Sequence, residues 1–163
     1  MTNHNQSSMK NAYLYAVKLL SKRDYSKHKL KTKLESKGFE LQDIESALSD
    51  VIDKGYLREE NYATARAKML MMKGLHPRYI KSKLAEESVE ISMSQIDLVF
   101  KEYQITPRTQ IEELLIKKTR SLDLSTLRDE QSPMRIKLIR YLLTKGHEPE
   151  DASIIFDEFT HIK

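Results

Sequence analysis

The chain has no cysteine, which removes disulfides, thiolate metal sites and cysteine nucleophiles in one step. That absence fits a reducing cytoplasm, and a cytoplasmic location is expected. Tryptophan is missing too, aromatics are 7% of the residues, and there are only four glycines and four prolines. So few turn formers and aromatics argue against an all-β sandwich. Four glycines spent on helix ends leave none for a Gly-rich phosphate loop. No apolar run reaches the about 18 residues that span a bilayer, so no membrane association is expected. The opening MTNHNQSSMK lacks the hydrophobic stretch of a signal peptide, and residues 1–10 are expected as a disordered tail.

What is present is helical punctuation. The 163 residues are 39% apolar and 32% charged, enough for a core but with a high ratio of surface to interior. Gly38, Gly55, Gly74 and Gly146 each follow a lysine at the end of a helical pattern. Pro77, Pro107, Pro133 and Pro149 each open one, as the asymmetry of helix stops and starts demands. Nine helices and no strand are predicted: 9–23, 26–37, 41–54, 58–73, 76–87, 92–104, 107–121, 133–145 and 149–161. Ser26, Ser92, Thr106 and Ser132 are the expected N-caps. Residues 122–131 read as loop or as a frayed continuation of the preceding helix.

A repeat lies over this pattern. Ile44, Ala47, Leu48 and Val51 form an i, i+3, i+4, i+7 stripe, and so do Ile96, Val99, Phe100 and Tyr103, and Ala152, Ile155, Phe156 and Phe159. The helix before each stripe carries two aliphatics four apart: Leu30 and Leu34, Ile80 and Leu84, Leu138 and Leu142. Gly38, Ser88 and Gly146 each stand four residues beyond the second of these. The prediction is an all-α fold of three tandem three-helix repeats, with units at 11–55, 56–105 and 106–163. A unit of about 50 residues buries little surface alone and gains by stacking, which implies an elongated, curved body suited to an extended partner.

Catalytic constellations are not found. The five histidines show no HExxH spacing, and His28, His76 and His147 fall at helix starts or breaks, where surface placement is expected. The pairs Glu59-Glu60, Glu86-Glu87 and Glu112-Glu113 read as solvated faces or dipole partners. No enzyme activity and no cofactor are expected. Of Met69, Met71 and Met72, one or two should pack and another be exposed. A helix-turn-helix reading is weakened by the acids on the third helices, among them Asp43, Glu45, Asp50, Glu150, Asp151 and Asp157.

The charge that stands out is positive, with a net +4 and a pI of about 9.1. One basic cluster runs from Lys18 to Lys37, a second takes in Arg66, Lys68, Lys73, Arg78, Lys81 and Lys83, and a third holds Lys117, Lys118, Arg120, Arg135, Lys137 and Arg140. Recurrence from repeat to repeat points to phosphate contact or to pairing with an acidic partner groove.

The centre of the chain, GYLREENYATARAKMLMMKGLHPRYIKSKL over Gly55–Leu84, resembles the centre of the RecX family, bacterial regulators of the RecA recombinase. Similarity extends from about Ala16 to about Phe159 and includes LLSKRDYSKHKLKTKLESKGF, from Leu19 to Phe39. The resemblance implies a monomeric inhibitor of RecA that binds the groove of the RecA–DNA filament, with consequences for DNA repair, homologous recombination and the SOS response. It implies bridging of neighbouring protomers or blocking of filament growth. The contact expected is the basic face of the central unit, Lys68, Lys73, Arg78 and Lys81, extended by Lys27 and Lys31, with DNA as a further partner of the basic faces. The alternative is a nonspecific nucleic-acid-binding helical protein.

Overall fold

In a computed structural model the backbone is described for residues 2–162 and side chains for residues 9–161. Nine α-helices and one short 3-10 turn are present among the described residues, and no strand. They are α1 (Thr2–Leu20), α2 (Lys27–Ser36), α3 (Leu41–Asp53), α4 (Glu59–Met72), α5 (Pro77–Glu86), α6 (Met93–Glu102), α7 (Pro107–Thr119), α8 (Pro133–Thr144) and α9 (Pro149–Ile162). The 3-10 turn, Leu124–Leu127, gives the uncertain stretch after α7 an anchor, since Leu127 is buried. Helix α1 starts at Thr2, so the backbone is helical through the stretch expected as a tail. Nothing in MTNHNQSSMK blocks the helix, because it holds neither glycine nor proline.

The helix ends follow their local chemistry. Ser26 accepts a bond from the Lys29 amide, and Ser92 and Thr106 each complete a reciprocal capping box with the residue three further on. Ser132 makes no side-chain cap, so α8 starts on Pro133 alone, which needs no partner at its first position. At the other ends, the amides of Phe39, Tyr56, Leu75, Ile105 and His147 reach back five or more residues along the helix to a carbonyl. Ser88 and Gln104 take φ of 56° and 54° where other helices use glycine.

The chain divides into two compact units. The first comprises the residues up to Ala65 together with Glu87–Glu90. Its core joins α1, α2 and α3 through Ala12, Ala16, Leu30, Leu34, Ile44, Ala47, Leu48 and Val51. The second comprises Arg66–Glu86 and the chain from Ile91 onward. Within it α5 packs on α6, while α7, α8 and α9 enclose Ile111, Leu115, Leu138, Leu142, Ala152 and Phe156. The matched stripes lie where the spacing places them. Leu30, Leu34, Ile80, Leu84 and Leu142 are fully buried and Leu138 nearly so, and each third helix turns its aliphatic stripe inward. Met71 is buried while Met69 and Met72, three apart and on one side of α4, stand half exposed, because neighbouring helical positions do not share a face.

Candidate interaction surface

The basic residues separate into those whose heads are engaged and those whose heads are not. Seven of the eight tyrosines carry a cation over the ring within 6 Å, as when Lys54 lies 4.2 Å from the Tyr13 centroid and Lys118 4.8 Å from that of Tyr141. Such a lysine is tethered at the rim of a core. Lys29 shows the result: its Nζ donates to the Tyr62 hydroxyl and to Glu87, each at 2.9 Å. The tyrosine bond first, and the carboxylate second, hold its pKa above the ordinary lysine value. Lys83 is held up mainly by Glu86, 2.9 Å away.

The six residues expected at the contact distribute over both units. Lys27 and Lys31 stand on successive turns of α2, Lys27 exposed and Lys31 half-buried. Both line an open groove of about 510 Å³ in the first unit, with Ile52, Leu57, Glu59 and Glu90. Glu59 accepts the Lys27 backbone amide at 2.6 Å, closing the α2 N-terminus with a carboxylate. Neither lysine head has a carboxylate or ring partner among the described residues.

The other four belong to the second unit. Lys68 is half-buried, lies 4.2 Å from the Tyr103 ring centroid and donates to its hydroxyl, so its head is engaged. Lys73, Arg78 and Lys81 form an exposed group around the corner where α4 ends and α5 begins. Arg78 and Lys81 are three apart on α5 and share a face away from buried Ile80 and Leu84. Arg78 keeps 79% of its side chain exposed and meets Glu148 only at 3.8 Å. No carboxylate or ring holds Lys73 or Lys81 among the described residues.

Two placements differ from the sequence expectation. Arg135, counted in the third basic cluster, is buried: its guanidinium bonds Asp157 at 2.5 Å and lies 5.0 Å over the Phe156 ring. It neutralises an α9 acid and packs on the core, which leaves Lys137 and Arg140 as the exposed members of that helix. His147, expected at the surface, is 3% exposed and bonds the Gly74 carbonyl through Nε2 at 3.0 Å. In both cases the partner lies on another helix or corner, so no local signal could reveal it. The structure also brings in residues that sequence reasoning missed, Glu148 beside Arg78 and Tyr103 beneath Lys68.

Among the described residues no group of three or more His, Asp or Glu side chains is placed to hold a metal ion. Nor, among those residues, is any helix long and apolar enough to cross a membrane.

Comparison with known proteins puts this architecture in context. A family model described as RecX, first three-helix domain, matches residues 12–50. The regulatory protein RecX of Haemophilus influenzae (strain PittGG) is 31% identical over 145 residues, spanning 86% of this chain and 89% of that one. The regulatory protein RecX of Vibrio vulnificus is 37% identical over 78 residues, a match spanning 48% of this chain and 51% of its own. The crystal structure of RecX from Lactobacillus salivarius shares the fold, with a TM-score of 0.70 at 20% identity over 94% of this chain and 97% of that one.

Proposed function

The chain belongs to the RecX family, and from that membership we propose that it is a regulator that restrains the RecA recombinase by binding in the groove of the RecA–DNA filament. Through that contact it would limit homologous recombination and repair and temper the SOS response. It does so as a cytoplasmic monomer, by bridging or blocking protomers rather than by chemistry of its own. The observation that carries the reading to particular residues is the α4–α5 corner, where Lys73, Arg78 and Lys81 are exposed and Lys73 and Lys81 are unengaged among the described residues. Cations of that kind steer an encounter with a polyanionic or acid-lined groove, and they cost no prior bond to recruit. Lys27 and Lys31 extend the contact from α2, and Lys68 supports it from its place on Tyr103.

The test is the double reversal Arg78→Glu with Lys81→Glu, scored by inhibition of recombinase-catalysed ATP hydrolysis on single-stranded DNA. The folded double variant should inhibit several-fold less well at physiological salt, and each single reversal less so, because exposed charges act together. Unchanged inhibition by the double variant would remove this face from the contact. Binding to naked DNA, measured in parallel, should be weak and fall steeply with salt. Tight, filament-independent DNA binding would instead favour a nonspecific nucleic-acid binder.

A further inference from the structure

The corner that carries Lys73 and Arg78 is pinned at its back. Between them run Gly74, Leu75, His76 and Pro77, and this segment meets the α8–α9 corner at Lys145 and His147. The His76 amide donates to the Lys145 carbonyl at 2.9 Å. His147 Nε2 meets the Gly74 carbonyl at 3.0 Å, and the rings of His76 and His147 lie edge to face, 5.8 Å apart. Neither glycine has room for a side chain, Gly74 because of Leu114 on α7 and Gly146 because of Tyr79 on α5. A Cβ on Gly74 would stand 2.8 Å from Leu114, and one on Gly146 would stand 2.4 Å from Tyr79.

The protonation state of His147 follows from this geometry. A carbonyl only accepts, so Nε2 carries the hydrogen and Nδ1 is bare in the neutral ring. Nδ1 is buried and has no hydrogen-bond partner among the described residues. A proton added there would place a cationic N–H in a buried site with no acceptor, which is costly unless the pin opens. We propose that His147 is an acid-sensitive pin that joins the α8–α9 corner to the α4–α5 corner and thereby positions Lys73 and Arg78. The role given to those two residues rests on the function proposed above; the pin itself does not.

The surroundings agree in direction. Burial, the largest influence, holds the His147 pKa below the ordinary histidine value, against the raising effect of the Gly74 carbonyl. His76 and Lys145 lower it further, and Asp151 on α9 raises it. His76 is also depressed by burial, with Glu148 and Asp151 opposing and Arg78 assisting. A histidine depressed in the closed state and ordinary, near about 6.5, in the open one binds more protons when open. The closed pin is therefore fully stable above that value and loses stability as pH falls below it.

The test uses the whole 163-residue chain. Hydrogen exchange of the His76 amide, corrected for intrinsic rate, reads opening of the corner. Protection should fall several-fold between about pH 7.5 and about pH 5.5, the range in which histidine switches. The fall should be smaller in His147→Gln, which keeps a donor but cannot titrate, should vanish when His76→Asn is added to it, and should persist in His76→Asn alone. A flat wild-type profile, a fall undiminished in His147→Gln, or a response lost with His76→Asn alone would each overturn the proposal. Ring nitrogen NMR of the wild type gives a check that needs no variant. His147 should be the Nε2–H tautomer and titrate below the free-histidine value, and an Nδ1–H tautomer would sink the idea. The positioning role is read at neutral pH, where His147→Gln should retain inhibition of the recombinase and folded His147→Phe should lose several-fold. Equal inhibition by the two would overturn that role. Absence of inhibition by the wild type would instead refute the proposed function, with the exchange result still deciding the pin.

Discussion

Gly38 and Gly146 hold the same place in the first and last helical triplets. Each follows a lysine, stands four residues past the second buried leucine and adopts a left-handed φ, 89° and 83°. Their surroundings differ completely. A Cβ on Gly38 would meet nothing within 4 Å among the described residues, whereas one on Gly146 would stand 2.4 Å from the Tyr79 Cβ. A repeat therefore carries two layers of constraint. The turn layer is shared by every copy. The contact layer belongs to one copy, and there the glycine answers for the closeness of another segment as well as for its own backbone.

The two copies should agree at their buried leucines. Leu34 and Leu142 are both fully buried at matching positions. Leu34→Ala and Leu142→Ala should each cost about 2–5 kcal/mol in chemical denaturation, the range for aliphatic truncation in a packed core. A cost near zero for either would show that its triplet is not a real core. The copies should part company at the glycines. Gly38→Ala should cost about 1–2 kcal/mol from left-handed strain alone. Gly146→Ala adds overpacking against Tyr79 and should cost about 2–4 kcal/mol. Equal losses in denaturation midpoints would erase the distinction. The smallest effect is a gain. Ser88 takes φ of 56° at the equivalent break in the middle triplet, so Ser88→Gly should stabilise by about 0.5–1 kcal/mol. A destabilised Ser88→Gly would mean that its side chain does more than end a helix.

The same division separates what could be read in the sequence from what could not. Helix ends were legible because capping, proline and glycine act within a turn, and the buried stripes were legible because helical periodicity is local. The expected ends fall within a few residues of those seen, except at α1, whose polar opening gave no signal to extend the helix to Thr2. Among the candidate contact residues, exposure of Lys73, Arg78 and Lys81 followed from their offset against Ile80 and Leu84. The engagement of Lys68 did not, because Tyr103 lies 35 residues away. Arg135 illustrates the limit best. It sits in a basic run beside Lys137, yet Asp157 and Phe156 on α9 draw it inward. His147 escapes a local reading for a related reason: its position just past α8 suggests solvent, and only the approach of Gly74 buries it.

The tyrosines capped by cations have an optical consequence. With no tryptophan in the chain, tyrosine is its principal intrinsic fluorophore, and seven of eight rings sit beneath a lysine or arginine head. Their emission thus reports on the rims of the two cores, where the basic side chains are parked. A partner that lifted Lys68 from Tyr103 would change the light from that ring without any label, so the molecule carries its own gauge of which cations a ligand recruits.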